Sequence, residues 1–387
     1  MITTIAELAL GGLLASEASL RRLLHNHPKV NRLDPVVGWR PRPGLRFHYG
    51  REGSAPVSIN AAGFRDIDHE RSKPAGIRRI VVLGDSVVEA REVPIEETFW
   101  KQLESLLPTA PGERVEVMNF GVNGYSTAQS LLTLDRIALD YAPDLVIQVF
   151  FTGTDVTGNA RVLGYHRDRP YFGLVNGRLR LLSVPGDAPG YRRRLWQDAL
   201  RTRLYDLRLP QLVREVRVRA RLFRQQKRYS GGPARPDLNH GIYRPPTDAD
   251  WTEAWEVSEA LIAEVAARAT AGGAEFLLVI CPNAPQVDPD PAVAPTLCRM
   301  LGIDRLDYPE RRLEAFAART GLPCLALAHG LGKAASAGER VFGDGVHLNR
   351  NGHRVAAAAI AEAVTALPAK LRPSPCRSAS GRFASIP

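Results

Sequence analysis

Arg79-Ile80-Val81-Val82-Leu83-Gly84-Asp85-Ser86 is the stretch that decides the fold. Four apolar residues, mostly β-branched, stop abruptly at Gly-Asp-Ser. A short, unbroken apolar run closed by a glycine predicts a strand buried on both faces of a parallel sheet. A sharp turn at its carboxyl end lifts the Ser86 hydroxyl to the edge where open α/β sheets bind their ligands. That is the placement nucleophilic acyl transfer needs. Taken alone, Gly-Asp-Ser is also an ordinary turn, because all three residues favour turns, so the surrounding chain has to decide.

Working outward, the same pattern returns. Residues 115–120 predict a second strand, ending at Gly121-Val122-Asn123-Gly124, and residues 145–151 a third, stopping at Gly153-Thr154-Asp155. Between them lie two helical stretches. Residues 96–107 place Trp100, Leu103 and Leu106-Leu107 on one side, and residues 127–139 start at a capping box of Ser126 and Gln129. Three strands that each run into a small polar loop and then a helix predict βαβ architecture, a parallel sheet covered on both sides. The alternation resumes with a helix at 251–271, strands at 275–280 and 324–327, and helices at 309–320 and 352–367.

The intervening segments set the organisation. Residues 1–76 read as an N-terminal helix followed by a Pro-, Gly- and Arg-rich extended arm anchored by Trp39 and Phe64, packed along the domain. Residues 77–160 and 246–368 form the two parts of the core. Residues 161–245 are an Arg-rich insertion: a hairpin over 171–182 turning at Asn176-Gly177, then a helical stretch over 191–229 that Pro210 divides. This insertion is expected to cap the active site, with Leu200, Leu204, Leu212, Val216 and Leu222 facing inward. Residues 369–387, rich in Pro, Ser and Arg, read as a disordered tail.

The 387 residues carry a formal net charge of +10, much of it in the insertion. A basic face is usually a solvated one. No nucleic-acid motif or aromatic platform accompanies it, so nucleic acid is not an expected partner, and membrane contact has no support beyond charge. Four cysteines lack metal or disulfide spacing. Gly332-Lys333 lacks the glycine and hydroxyl of a phosphate loop. Neither a metal nor another cofactor is expected. Residues 2–15 are too short to span a bilayer and carry Glu7 in place of a signal peptide's uninterrupted apolar run, so a cytoplasmic location is expected. Nothing in the sequence reports the oligomeric state.

Ser86, Asp344 and His347 supply a nucleophile, an orienting carboxylate and a base. A serine hydroxyl attacks poorly until an imidazole takes its proton, and a carboxylate must hold that imidazole in the right tautomer. Asp344 and His347, three residues apart, reach the sheet edge on one loop.

Four blocks together resemble the SGNH (GDSL-type) hydrolases: Val82-Leu83-Gly84-Asp85-Ser86, Asn119-Phe120-Gly121-Val122-Asn123-Gly124, Phe151-Thr152-Gly153-Thr154-Asp155 and Asp344-Gly345-Val346-His347. The resemblance spans residues 79–361. The lead-in with Gly38-Trp39 and Gly63-Phe64-Arg65 is similar to that of many bacterial members, implying a bacterial source. The resemblance implies an α/β fold, a three-layer α/β/α sandwich with a flavodoxin-like parallel sheet and an inserted helical cap. It implies Ser86 as nucleophile, His347 as base, Asp344 as its partner, and an oxyanion hole from the backbone N–H groups of Ser86 and Gly124. The third block departs from the pattern. Thr154 stands where the family's asparagine donates the third oxyanion bond, which leaves three outcomes: a slow hydrolase with Thr154 in that place, another donor such as Asn123 or Asn159, or lost activity; Asp155 is expected to fix the loop.

The implied activity is hydrolysis of an ester, an acetyl group on a carbohydrate or a short acyl ester, through an acyl-Ser86 intermediate. Two other readings stand beside it: an O-acyltransferase on the same triad, and a catalytically silent protein of the same fold that holds an anionic ligand against its arginines.

Overall fold

The computed structural model describes residues 17–23, 26–50, 52–229, 238–343 and 346–367. Of the N-terminal helix, residues 17–23 are helical; its other residues, and the tail at 369–387, lie outside the described residues.

The arm comes first, as two antiparallel hairpins: β1 (Asn31–Asp34) with β2 (Gly38–Pro41), and β3 (Arg46–Tyr49) with β4 (Ala55–Ser58). The core follows with β5 (Ile77–Leu83), α1 (Ser86–Glu89), α2 (Phe99–Leu106), β6 (Arg114–Asn119), α3 (Thr127–Arg136), β7 (Leu145–Phe151) and α4 (Asp155–Asn159). The insertion contributes β8 (Tyr171–Val175), β9 (Arg178–Ser183), α5 (Tyr191–Leu204) and α6 (Arg208–Tyr229). The core then closes with α7 (Ala249–Ala271), β10 (Glu275–Cys281), α8 (Val293–Leu301), α9 (Tyr308–Thr320), β11 (Cys324–Ala326), α10 (Leu327–Ser336) and α11 (Arg350–Ala366).

Five parallel strands stand in the order β11-β10-β7-β5-β6. In chain order this is 2-1-3-4-5 read from the β6 edge, the flavodoxin-like winding, whose switch point lies between β5 and β7. Both faces of the sheet are buried. Along β5, Val81 and Leu83 join one apolar cluster with Leu131 and Leu134 of α3 and Trp255 and Leu261 of α7. Ile80 and Val82 point the other way, to Trp100 and Leu103 of α2 and Ile360 of α11. Each such fully buried Val or Leu contributes on the order of 1.5–3 kcal/mol. The protein is therefore a three-layer α/β/α sandwich, with Ser86 at the carboxyl end of the strand beside the switch point.

One charge is sunk into this core. The Arg79 side chain is fully buried, and its guanidinium donates to Glu116 Oε2 (2.5 Å) and to the carbonyls of Glu70 (2.6 Å), Arg71 (3.0 Å) and Tyr141 (2.9 Å). A buried cation survives only with its donors satisfied, and these bonds fasten the end of the arm to the first strand.

The capping box at Ser126 and Gln129 forms as expected, but α3 ends at Arg136 and a 3₁₀ turn takes residues 138–141. Asn176 and Gly177 both adopt left-handed φ (52° and 70°) in the β8–β9 turn. The helical stretch breaks ahead of Pro210, at residues 205–207; Pro210 sits in the first turn of α6, where a missing N–H leaves no helix bond unmade. The expected inward face is also corrected. Leu200, Leu204, Leu212 and Val216 are 46%, 49%, 37% and 59% exposed; the Leu222 side chain lies outside the described residues. The helices are held through polar contacts with the arm instead: Asp198 accepts from Leu33 N (3.1 Å), Gln211 accepts from His27 N (2.8 Å), and Asp206 pairs with Arg42 (2.8 Å). Helical spacing of leucines showed a stripe but not which way it faces. Among the described residues, no helix is long and apolar enough to cross a membrane.

Candidate active site

Ser86 opens α1, half-buried, directly after the N-cap Asp85, whose side chain accepts from Val87 N at 2.9 Å. Gly84 makes the turn possible: a Cβ there would lie 2.5 Å from Val88 Cγ2. Two buried groups clamp the short helix. Arg65, 1% exposed, donates to the carbonyls of Glu89 (2.9 Å), Ala90 and Val93 (2.5 Å), filling acceptors left open at the helix end. Glu89, fully buried, accepts from Arg91 (2.6 Å) and from Asn123 N (2.7 Å), tying the helix to the glycine loop.

That loop is braced on every side. Gly121 N donates to Asn119 Oδ1 (2.7 Å), the Trp39 indole to Asn123 O (3.0 Å), and Arg169 to Gly124 O (2.7 Å). The Gly124 N–H, the Ser86 N–H and the Ser86 hydroxyl bond no other described residue. These are unspent donors on a rigid frame.

Thr154, at the mouth of β7, is exposed, and its hydroxyl stands 3.4 Å from Asp85 Oδ2. The structure thus brings it beside the Ser86 turn, turned toward Asp85. Asn159 is removed as an alternative donor: its buried amide accepts from Ala128 N (3.0 Å) and donates to Ser258 Oγ (3.1 Å). Asn123, exposed, keeps its side chain unbonded among the described residues. Asp155 fixes the loop, accepting from Thr127 N (2.8 Å), Thr127 Oγ1 (3.0 Å) and Phe151 N (2.8 Å). Burial pushes both Asp85 and Asp155 upward in pKa, and the charge of Asp85 adds to the rise at Asp155.

His347 sits in a loop closed by the Phe342–Leu348 bridge and by the bond from Gly343 N to His347 O (2.9 Å), just before Asn349 caps α11 through Gly352 N (3.0 Å). Asp344 belongs to the same loop and lies outside the described residues. The imidazole is nine-tenths buried, with Nε2 unpartnered among the described residues. It lies close enough to Asp85 for each charge to act on the other's titration. Its Nδ1 faces two carboxylates that the sequence reading did not find: Glu52 Oε2 at 2.5 Å, from the β3–β4 turn, and Glu92 Oε1 at 3.3 Å. Burial by itself would lower the pKa of His347, but the charges of Glu92, Glu52 and Asp85 and the Glu52 hydrogen bond outweigh it and raise it. Burial pushes Glu92 up to about 7, against the pull of His347. The one signal available for Glu92 was a second acid soon after Glu89 in the apolar stretch following Ser86. For Glu52, in an aperiodic arm, there was none.

The donor atoms of Glu52, Glu92 and His347 lie within 4.8 Å of one another. A hydrogen-bonded set and a cation site share that spacing, but Nδ1 and Oε2, at 2.5 Å, are in direct hydrogen-bond contact.

Ser86, at the switch-point strand end, and His347 thus stand at the carboxyl edge of an open α/β sheet. Among solved structures, the chain is similar to a member of the lipolytic protein G-D-S-L family from Veillonella parvula (14% identity, TM-score 0.37, covering 75% of this chain and 100% of that one). It is similar to TesA (13%, 0.37, covering 74% and 98%) and to a mutant of an acetyl-xylooligosaccharide esterase from a Geobacillus species (11%, 0.39, covering 76% and 97%). No family model and no curated protein matches the sequence.

Proposed function

We propose that the protein is a serine ester hydrolase acting through an acyl-Ser86 intermediate. The observation that carries this reading is the pairing of a Ser86 hydroxyl at the switch-point strand end with a buried imidazole at the same edge, its Nδ1 on carboxylates; among the described residues neither the Ser86 hydroxyl nor the buried Nε2 has a partner.

In this reading Ser86 Oγ attacks the ester carbonyl carbon while His347 Nε2 takes the hydroxyl proton. The carbonyl oxygen, now an oxyanion, lies against the N–H groups of Ser86 and Gly124. Collapse expels the alcohol, which leaves with the proton from Nε2. Water then attacks the acyl-enzyme, again losing its proton to Nε2; the Oγ–acyl bond breaks, Nε2 returns the proton to Ser86 Oγ, and the free acid departs. The Nδ1 carboxylate, the place the sequence gives to Asp344, keeps the imidazole oriented throughout. Thr154 is the third donor only by leaving Asp85, so turnover falls short of that of a hole with three aimed donors; one missing donor costs about a hundred- to a thousandfold. The substrate class we favour is an acetyl or other short acyl ester, on a carbohydrate or a small alcohol.

The test is hydrolysis of an aryl acetate by the wild type and Ser86→Ala, with labelling by a fluorophosphonate. Turnover and labelling that both vanish in Ser86→Ala are expected. Equal, trivial rates and no label in the wild type would leave a ligand-binding protein of the same fold as the better account. Acyl transfer to an added alcohol outpacing hydrolysis would make it an acyltransferase.

A further inference from the structure

We infer that Glu52, carried into the site by the tip of the β3–β4 hairpin, is the carboxylate that orients His347. The inference rests on the hydrolase reading and deepens it: the base is completed by the N-terminal arm, a segment about 295 residues away in sequence.

A neutral imidazole has a single Nδ1 proton to give when Nε2 serves as base. At 2.5 Å, Glu52 Oε2 is the acceptor that takes it, while Glu92 Oε1 stands behind at 3.3 Å. The hairpin is built to hold that position. Ala55 and Val57 of β4 are buried, and the Phe47 ring of β3 lies under the Arg91 guanidinium at 5.8 Å. His48 Nε2 and Ser54 Oγ meet at 2.9 Å across the turn. The decisive packing is at Gly53. A Cβ at that position would fall 2.2 Å from the carbonyl oxygen of Glu92 and 3.1 Å from its Cα. Backbone presses on backbone, so only glycine lets the tip sit this deep. On the other side, a Cβ at Gly343 would meet the Glu52 carbonyl at 3.4 Å. The hairpin tip, Glu52-Gly53, is therefore held between Glu92, in the segment after α1, and Gly343, in the loop that carries the base.

Glu92 is the weaker candidate for the role. It is 8% exposed, its Oε2 is unpartnered among the described residues, and burial pushes its pKa up to about 7, whereas Glu52 is more than a quarter exposed to solvent. The groups facing His347 are then Glu52 from the hairpin, Glu92 from the segment after α1 and Asp85 from the N-cap of α1, with His353 of α11 also feeling its charge. Among the described residues, Glu52 stands nearest to Nδ1, at 2.5 Å. Such a residue positions the base and touches no reacting atom.

The experiment compares Glu52→Gln, Glu52→Ala, Gly53→Ala and Asp344→Asn with the wild type, reading kcat and KM for an aryl acetate across pH, the His347 titration by NMR, and fluorophosphonate labelling. Glu52→Ala should lower kcat about a hundredfold with KM little changed. Glu52→Gln should move the acidic limb of the rate profile, and the His347 titration with it, to lower pH, because the lost anion had favoured the imidazolium. Gly53→Ala should reproduce the kcat loss with the carboxylate still present, and Asp344→Asn should leave the limb in place. Labelled, folded Glu52 variants with an unmoved limb, and a limb shifted in Asp344→Asn, would overturn the inference while sparing the hydrolase. No label in the wild type would overturn both. Activity lost to EDTA and restored by Zn²⁺ would also overturn it, assigning the three donors to a cation.

Discussion

At the scale of single residues, Thr154 carries the sharpest consequence. Its hydroxyl lies 3.4 Å from Asp85 Oδ2, on a side chain too short to reach both that carboxylate and an oxyanion. If the hole works with two backbone donors, Thr154→Asn supplies a third. We expect kcat for an aryl acetate to rise about tenfold or more with KM nearly constant, since the gain falls on the transition state. Steady-state kinetics of the two proteins decide it; an unchanged or lower kcat would show that the hole is already complete. Arg65 gives a prediction of another kind. Burial lowers its pKa to about 10, yet three carbonyls at and beyond the end of α1 accept from it. Arg65→Met leaves those acceptors dry. We expect a loss of about 3 kcal/mol or more in urea unfolding, together with slower labelling of Ser86 because the nucleophile helix loosens. A change below about 1 kcal/mol would mean that water replaces the guanidinium.

At the scale of elements, the core strands were legible because each is a short apolar run stopped by a glycine or small polar loop. β7 has the predicted bounds and β6 is displaced by one residue. The capping box of α3 and the Asn-Gly turn were legible for the same local reason: their signals lie within four residues. What could not be read depends on contacts made far along the chain. Nothing in residues 46–58 indicates that the turn between β3 and β4 ends at His347. Nor does the leucine spacing of α5 and α6 say that their stripes face solvent, while Asp198 and Gln211 do the docking against the arm. This last point is open to test. If the stripe of α6 is outside the core, Leu212→Ser with Val216→Ser should shift stability by no more than about 0.5 kcal/mol per site. A core stripe would lose several times that on either substitution. Thermal melts of the double variant separate the two.

At the scale of the whole molecule, two apolar layers enclose ionisable groups that respond to pH in opposite senses. Burial holds His353 neutral, with a pKa near 3 against 6.5 in the unfolded chain, so its share of stability is lost as pH falls through that window. Glu310 behaves the other way. It is 4% exposed, Oε2 accepts from Gln286 Nε2 at 2.8 Å, Oε1 has no partner among the described residues, and burial pushes its pKa up to about 7. A carboxyl whose folded pKa lies above its unfolded value binds its proton more tightly in the fold. Its stabilisation is present below about pH 4.5 and disappears as pH rises toward 7, where ionising it sets a bare charge against apolar packing. Glu310→Gln keeps the shape and the Gln286 contact without the charge. The difference in unfolding free energy between variant and wild type should therefore be small at pH 4.5 and grow in the variant's favour with pH. It should reach about 3 kcal/mol at pH 8, the linkage value of a carboxyl raised from 4.5 to about 7. Denaturant unfolding at a series of pH values measures it directly. A difference that stays flat across the range would mean that Glu310 ionises in the fold as easily as in water, and that the base of α9 is wet.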